Sequence, residues 1–475
     1  MESSMAQRSA IGTQTPDSGS SPDDRSDAQQ RLDAFLAWLA ADRGLDRYSM
    51  PATVALRSTR ADGPSLARAL ASMDAPAVWW DAQGQRLNLS DAVLSGFYLT
   101  DADFSGANLK RADLTKGVGR GIRLDGALIE EASFKNGDFS GASFNAAVAG
   151  QASFQGAMLE DARFTSAHLR FARFQAALLD GTDFEAADAW GADFTGADAD
   201  RTVFRKARLD EANLSDVNLT FSDFEGASLK GTKLRGSRLR GSNFAGATLS
   251  GTDFEGADLS ETRLIRLDLS NSNLRHARFN GAWIEGCRLR VEQLDGAVGE
   301  EIDRNYDGAR GSYSVLEANF TSIGAKAEAG WAYKKGRKMG CLSSWTKARE
   351  ATHRKDWGLA LLHTYAWASD RFVEWLCDYG ESMSRVLRAF LILIALFAAL
   401  YGILGGLVPH GEETATHSLI DIVSYSALNM MTSNPPEIGM SVVGRTANIL
   451  VGLQGALGII LMGLFGYILG NRIRR

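Results

Sequence analysis

The sequence predicts a multidomain protein: a solenoid over nearly half of its 475 residues, a helical linker, and an α-helical membrane domain with two spans and a re-entrant loop. Three observations predict it. Every fifth residue from Leu89 to Leu294 is large and apolar, with Gly119, Ala149, Ala189 and Ala199 the small exceptions. Two uncharged stretches, 389–408 and 449–469, are long enough to cross a bilayer. Between them sits a short apolar segment, too short to cross and too greasy for a solvated turn.

The period of five is neither the 3.6 of a helix nor the 2 of a strand, so no ordinary amphipathic element explains it. Fixed self-similarity over such a length means stacked repeats. Two residues earlier in the period sits a second, small position, as at Ala102, Ala107 and Ala112, and again from Ala142 to Ala162. The unit reads A-(D/N)-(L/F)-x-x, as in Ala102-Asp103-Phe104-Ser105-Gly106 and Ala212-Asn213-Leu214-Ser215-Asp216. It resembles the pentapeptide-repeat family over residues 87–298. The resemblance implies a right-handed quadrilateral β-helix, four pentapeptides per coil, with the Leu/Phe and Ala positions both inside.

Reading every twentieth residue tests the four sides. One face gives Phe104, Leu124, Phe144, Phe164, Phe184, Phe204, Phe224, Phe244, Leu264 and Ile284. The face ten residues away carries Phe134, Phe154, Phe174 and Phe194, and all four small exceptions fall on the other two faces. Aromatic ladders are therefore expected on opposite walls. Each buried Leu or Phe contributes roughly 1.5–3 kcal/mol, and some ten coils at about 4.8 Å each give a rod of about 50 Å. The Asp and Asn ahead of the Leu/Phe positions read as turn-stabilising groups.

Residues 1–30 are polar and rich in Ser, Asp and Gln, which predicts a disordered N-terminus without a secretory signal. Residues 31–86 suggest a small helical cap. Arg31 to Arg43 places Leu32, Phe35, Leu36 and Leu39 on one face, and Ser65 to Ser72 suggests a second helix. A cap would cover the open edge of the first coil; a partner-binding module is the other reading. The formal net charge of −6 argues against a nucleic-acid partner. Cys287, Cys341 and Cys377 are scattered and read as reduced thiols, and no metal-ligand spacing occurs.

The linker, 299–384, turns helical. Val315, Leu316, Phe320 and Ile323 recur at helical spacing, Gly324 breaks the helix, and Ala325–Lys338 continues with Trp331 and Tyr333. This pair resembles a helical hairpin found beside pentapeptide repeats in bacterial membrane proteins. The segment is basic and holds Trp331, Trp345, Trp357, Trp367 and Trp375. Such a mixture suits the inner face of a membrane; a solvated helix with Trp in a local core is the alternative.

The two-span domain, 385–475, has Arg385 and Arg388 before its first span and Arg472, Arg474 and Arg475 after its second. Both termini are then expected in the cytoplasm, with the protein multi-pass in the inner or plasma membrane. The order of elements is span, short helix over about 418–432, extended segment over about 432–437, span. Asp421, Tyr425, Ser426 and Thr432 resemble the pore helix of two-transmembrane potassium channels, in which D-x-x-x-[FY]-S leads to T-V-G-Y-G-D. A Gly-Arg pair, Gly444-Arg445, opens the second helix here as in that family, with possible hinges at Gly452, Gly455 and Gly458.

The departure is at the filter, where this chain has Thr432, Ser433, Asn434, Pro435, Pro436 and Glu437. Two prolines fix φ near −65° where the potassium filter needs glycine conformations. A degenerate filter without potassium selectivity follows, in which Glu437 forms a ring of carboxylates in a tetramer and Thr432, Ser433 and Asn434 line a hydrated constriction. A solvated loop carboxylate and a rigid external turn are the plainer readings of Glu437 and of Pro435-Pro436.

The function expected is a cation-permeable channel, a homotetramer in a lipid bilayer, conducting inorganic cations. Its solenoid senses an unknown cytosolic ligand or protein, or holds the subunits together. The alternative is a membrane-anchored scaffold without conduction. A DNA-mimicking rod fits poorly, since residues 87–298 hold 30 Asp and Glu against 24 Lys and Arg. No cofactor and no enzymatic constellation is expected, because no nucleophile–base pair or phosphate loop occurs.

Overall fold

The computed structural model describes residues 88–96, 99–380, 382–404, 407–409, 414–416, 418–432 and 440–473. The expected disordered N-terminus (1–30) and helical cap (31–86) lie outside the described residues, as do Ser433 to Glu437. The chain divides into two units. One holds the repeats up to Ala277 together with Cys287–Asp295, and the other holds Arg278–Gly286 with everything from Gly296 onward.

In the first unit every side of the solenoid pairs in parallel with the residue twenty further on. Asp103 bridges Arg123, Arg123 bridges Ser143, and Ser143 bridges Arg163. Four pentapeptides thus close one coil. Phe104 N donates to Arg123 O at 2.8 Å, and Gly106 N donates to Asp125 O at 2.9 Å. The backbone finds its partners in the next coil. Each corner requires a left-handed residue two places after the Leu or Phe. Glycine takes that place at Gly106 (φ 72°) and Gly126 (φ 65°), where its lack of a Cβ removes the strain. The Asp and Asn residues stabilise the same turn. Asp103 Oδ1 accepts from Ser105 N at 3.0 Å, and Asp253 Oδ1 accepts from Glu255 N at 3.1 Å.

The expected aromatic ladders are present. Phe134, Phe154, Phe174 and Phe194 stack with centroids 4.8 Å apart at each step. The opposite ladder runs from Phe144 through Phe164 and Phe184 to Phe244 at 4.6–5.1 Å, and meets the first edge-on. Offset and T-shaped contacts of this kind add to simple area burial. One small exception has a visible cause: a Cβ at Gly119 would stand 2.8 Å from the Phe139 ring, one coil on. In later coils Ser and Thr replace the inner Ala. Their hydroxyls donate to carbonyls of the preceding coil, Thr182 to Leu159 O at 2.8 Å and Thr232 to Leu209 O at 2.7 Å. A fully buried hydroxyl is thereby paired.

The second unit is helical. A single turn, α1 (Gly299–Ile302), leads to α2 (Tyr306–Ser322), α3 (Lys326–His353) and α4 (Trp357–Cys377). The linker helices are longer than the sequence pattern suggested, because α3 carries no clear apolar stripe beyond Lys338. Asn305 caps α2 through Gly308 N, and Asp356 caps α4 through Leu359 N. Gly324, at φ 75°, ends α2 as expected of a left-handed stop. Buried Glu300 accepts from Phe279 N at 3.2 Å, from Asn280 N at 3.1 Å and from Ser312 Oγ at 2.6 Å. Burial nevertheless pushes its carboxyl above the ordinary range.

Three further helices follow: α5 (Met383–Leu404), α6 (Leu419–Thr432) and α7 (Arg445–Ile473). The first apolar stretch departs from expectation. Its helix starts earlier than 389 and stops at Leu404, and Leu407–Pro409 pairs antiparallel with Met440–Val442. The second apolar helix is longer than 449–469 at both ends.

Candidate functional site

The site predicted from sequence is the segment between the two long apolar helices, and its geometry starts from α6. Ser418 precedes the helix, with Asp421 N 3.5 Å from Ser418 Oγ. Its apolar residues then face both α5 and α7. Ile422 and Tyr425 pack with Phe397, Tyr401 and Met440. Met430 packs with Val386, Phe390, Leu461 and Ile468. One short helix is thus held between two long ones.

Polar groups complete the packing. Gln454 of α7 is fully buried and touches both other helices. Its Oε1 accepts from the Tyr401 hydroxyl at 2.7 Å and from Asn429 Nδ2 at 3.0 Å. Its Nε2 donates to Ser426 O at 2.9 Å and Ser426 Oγ at 2.7 Å. Ser426 Oγ in turn donates to Ile394 O of α5 at 2.9 Å, and Asn429 Nδ2 also donates to Val451 O at 3.1 Å. In apolar surroundings such groups remain only where they pair with one another. Asn429 Oδ1 is buried without a partner.

The structure brings two of the three predicted pore-helix residues into this cluster. Tyr425 is buried edge-on to Tyr401, with centroids 5.7 Å apart, and Ser426 sits at the centre of the hydrogen bonds. Asp421 lies apart, in the first turn of α6. Thr432 is the last residue of that helix. Ser433, Asn434, Pro435, Pro436 and Glu437 lie outside the described residues. Of the three glycines, Gly452 has open space around it, whereas Gly458 meets α6 directly. A Cβ on Gly458 would stand 2.0 Å from Met430 O, so this glycine lets the two backbones touch.

Sequence reasoning gives no role to Tyr401 or Asn429, and marks Gln454 only as the interruption of an apolar stretch. A signal for Gln454 existed: it is the one strongly polar residue in its apolar stretch. The two long helices, Met383–Leu404 and Arg445–Gly470, qualify as candidate spans by length and composition, with mean hydropathy 2.4 and 2.1 over their most apolar 18 residues.

Comparison with known proteins speaks to the repeats. A family model of pentapeptide repeats matches residues 85–117, 150–185, 177–216, 222–260 and 252–290. The three apolar helices lie beyond all of those ranges. Among solved structures, the chain is similar to HetL, a pentapeptide repeat protein involved in heterocyst differentiation regulation from the cyanobacterium Nostoc. Identity is 25% over 42% of this chain and 86% of that one, with a TM-score of 0.21. A trypsin-treated form of QnrB1, a plasmid-mediated fluoroquinolone resistance protein, is 22% identical over 44% of this chain and 98% of its own, with a TM-score of 0.26. A further Nostoc pentapeptide repeat protein, alr5209, is 32% identical over 18% of this chain and 84% of its own, with a TM-score of 0.16. No curated protein matches the chain.

Proposed function

We propose that this pentapeptide-repeat protein is a cation-permeable membrane channel of the two-span pore-loop type. In this reading α5 and α7 cross the bilayer, α6 is a re-entrant helix, and several copies, most simply four, surround a shared axis. The filter, Thr432 to Glu437, is degenerate and does not select potassium; Glu437 supplies a ring of carboxylates that favours cations. The β-helix stands in the cytosol as a sensing or assembly domain.

The observation that carries the reading is the seating of α6. An anchor that merely crosses and returns has no use for a 14-residue apolar helix, Leu419–Thr432, tied to both neighbours by buried hydrogen bonds. Its other face, with Leu419 and Ile420 both 76% exposed, is left for lipid or for further copies. Re-entrant helices end in irregular backbone only where protein or a water-filled cavity surrounds it. Those conditions are met beside an axis.

One observation favours the anchored scaffold instead: pairing of Leu407–Pro409 with Met440–Val442 closes the connection within a single copy. Recordings from purified full-length protein in planar bilayers separate the two readings. A cation conductance that falls with Glu437→Gln and turns towards anions with Glu437→Lys is expected. Silence, or a conductance indifferent to both changes, leaves only the scaffold.

A further inference from the structure

We propose that α4 lies in the membrane interface, with its aromatic face seated among the headgroups and upper acyl chains of an anionic leaflet. The proposal rests on the reading that α5 crosses the bilayer.

Helix α4 is 21 residues long, yet only Ala360 and Cys377 are buried. Its large apolar side chains face outward: Trp357, Leu361, Leu362, Tyr365, Phe372 and Trp375 are 42–74% exposed. At 100° per residue, all of these except Leu362 fall within a stripe about 80° wide, while Leu359, 49% exposed, lies on the opposite side. His363, Asp370 and Glu374 occupy the other side of the helix. That polar side is the one turned to α3, where Asp370 pairs with Arg337 and Cys341 Sγ lies 3.9 Å from Trp367 O. Packing within the chain uses the side that carries Asp370 and Trp367, the latter with its ring centre 5.0 Å from that of Trp345, and near the C-terminus Val373, Leu376 and Cys377 pack with the apolar helices; the stripe from Trp357 to Trp375 is left uncovered. An exposed apolar face of this extent marks an interaction surface.

The ends of α4 indicate what covers it. Its C-terminus reaches α5 through a tight left-handed turn, Asp378 (φ 51°), Tyr379 (φ 56°) and Gly380 (φ 89°). Two arginines from the first turns of α5 then bind it back. Arg385 Nη1 donates to Glu374 O at 2.7 Å, and Arg388 Nη2 donates to Trp375 O at 3.2 Å. The Arg388 guanidinium also lies 5.8 Å from the centre of the Trp375 ring. The aromatic stripe thus begins where the first span begins. Trp and Tyr with an apolar body and a polar tip are the side chains of that depth.

Charge selects the leaflet. Exposed Arg354 and Lys355 precede α4 and exposed Arg388 follows it, while Arg385 already pairs with Asp378 at 3.4 Å, so cations bracket the stripe at both ends. A second copy of the same face would bring the same exposed cations with it, whereas anionic headgroups neutralise them. A helix with Trp, Leu and Phe on one side and charge on the other lies in the plane of the interface.

Nitroxide accessibility in the reconstituted full-length chain tests this. Leu361→Cys, Tyr365→Cys and Phe372→Cys alter exposed positions, so the fold tolerates them. The parent chain, whose three cysteines are buried, gives the labelling background. In vesicles containing anionic lipid, labels at all three positions should collide severalfold more with oxygen than with a water-soluble nickel chelate. That ratio should drop at least twofold in purely zwitterionic vesicles, and an unchanged ratio overturns the choice of an anionic leaflet. A control label at Ile392→Cys, on the exposed side of α5, reports the span itself. If Ile392→Cys reads as lipid but the α4 labels read as water, the α4 proposal fails alone. If Ile392→Cys also reads as water, the membrane reading fails with it. Labels shielded from both reagents, with spin–spin broadening, overturn the lipid in favour of a second copy.

Discussion

Within the repeats, Phe154 stacks on Phe134 and Phe174 at 4.8 Å, and each of those repeats the contact with its own neighbour. Within the apolar helices, one side chain, Gln454, joins Tyr401, Ser426 and Asn429, and among the described residues no other side chain hydrogen-bonds to all three of them. The first arrangement spreads stability over many equal steps. The second concentrates specificity in one residue. A solenoid whose coils contact only their neighbours loses stability locally when damaged. A helix cluster built on one hub shifts as a whole, and such an element can be biased between two arrangements.

Single substitutions should separate the ladder from the hub. The largest effect is expected from Phe174→Ala, which removes one rung of a ladder and costs about 3–5 kcal/mol. Hydrogen exchange should nonetheless rise only in the coils beside residue 174; acceleration along the entire solenoid would show that the steps are not independent. Next comes Gly458→Ala. The new methyl meets backbone at Met430, which cannot rotate away, and a cost of about 3 kcal/mol is expected. Thermal unfolding in detergent should show it, while Gly452→Ala, facing open space, should lie within error of the parent.

Gln454→Leu comes third, at about 2 kcal/mol, because hydrogen bonds in apolar surroundings stabilise modestly and the orphaned groups carry most of the cost. Gln454→Glu in its protonated form keeps the size and both kinds of contact, and should recover part of the loss. A smaller effect, about 1 kcal/mol, is expected for Thr232→Ala, since Leu209 O still accepts from Ala212 N at 3.0 Å after the hydroxyl is gone.

The smallest effect is a pH dependence between α2 and α3. Hydrogen bonds from Lys347 Nζ at 2.9 Å and Ser343 Oγ at 2.6 Å hold the Asp307 carboxyl below its ordinary value of 3.8. The unfolded chain therefore binds this proton first as the pH falls. The contribution is complete above 3.8 and disappears as the pH drops through the folded value. Protection of α2 and α3, taken relative to the intrinsic exchange rate at each pH, should fall over that window in the parent and stay flat in Asp307→Asn.

The two regions also differ in how far the sequence reveals them. The repeats announce coil length, wall identity and turn chemistry because the same signal recurs from Leu89 to Leu294 and chance matches average away. Tyr425 and Ser426 are singled out by a resemblance carried by a local pattern on one helix turn. Their partners are not, because Gln454 lies 28 residues from Ser426 and 53 from Tyr401, and no local pattern links them. Hydropathy also hid the end of α5: Leu407 and Val408 are as apolar as the helix before them, though they belong to a strand. At Gly458 a missing side chain fits a hinge or a close approach equally well from sequence. The distance to Met430 supplies the approach.

The parallel bridges between residues twenty apart carry one more consequence. They make the length of the solenoid a quantised property. Loss or gain of a single residue mis-phases every wall downstream, turning Phe columns into corners, whereas excision of a whole circuit leaves each remaining ring facing a lawful neighbour. The rod can therefore be shortened or extended only in whole pentapeptides, and keeps its aromatic walls aligned only in complete turns, so that its reach is set by copying rather than by gradual substitution.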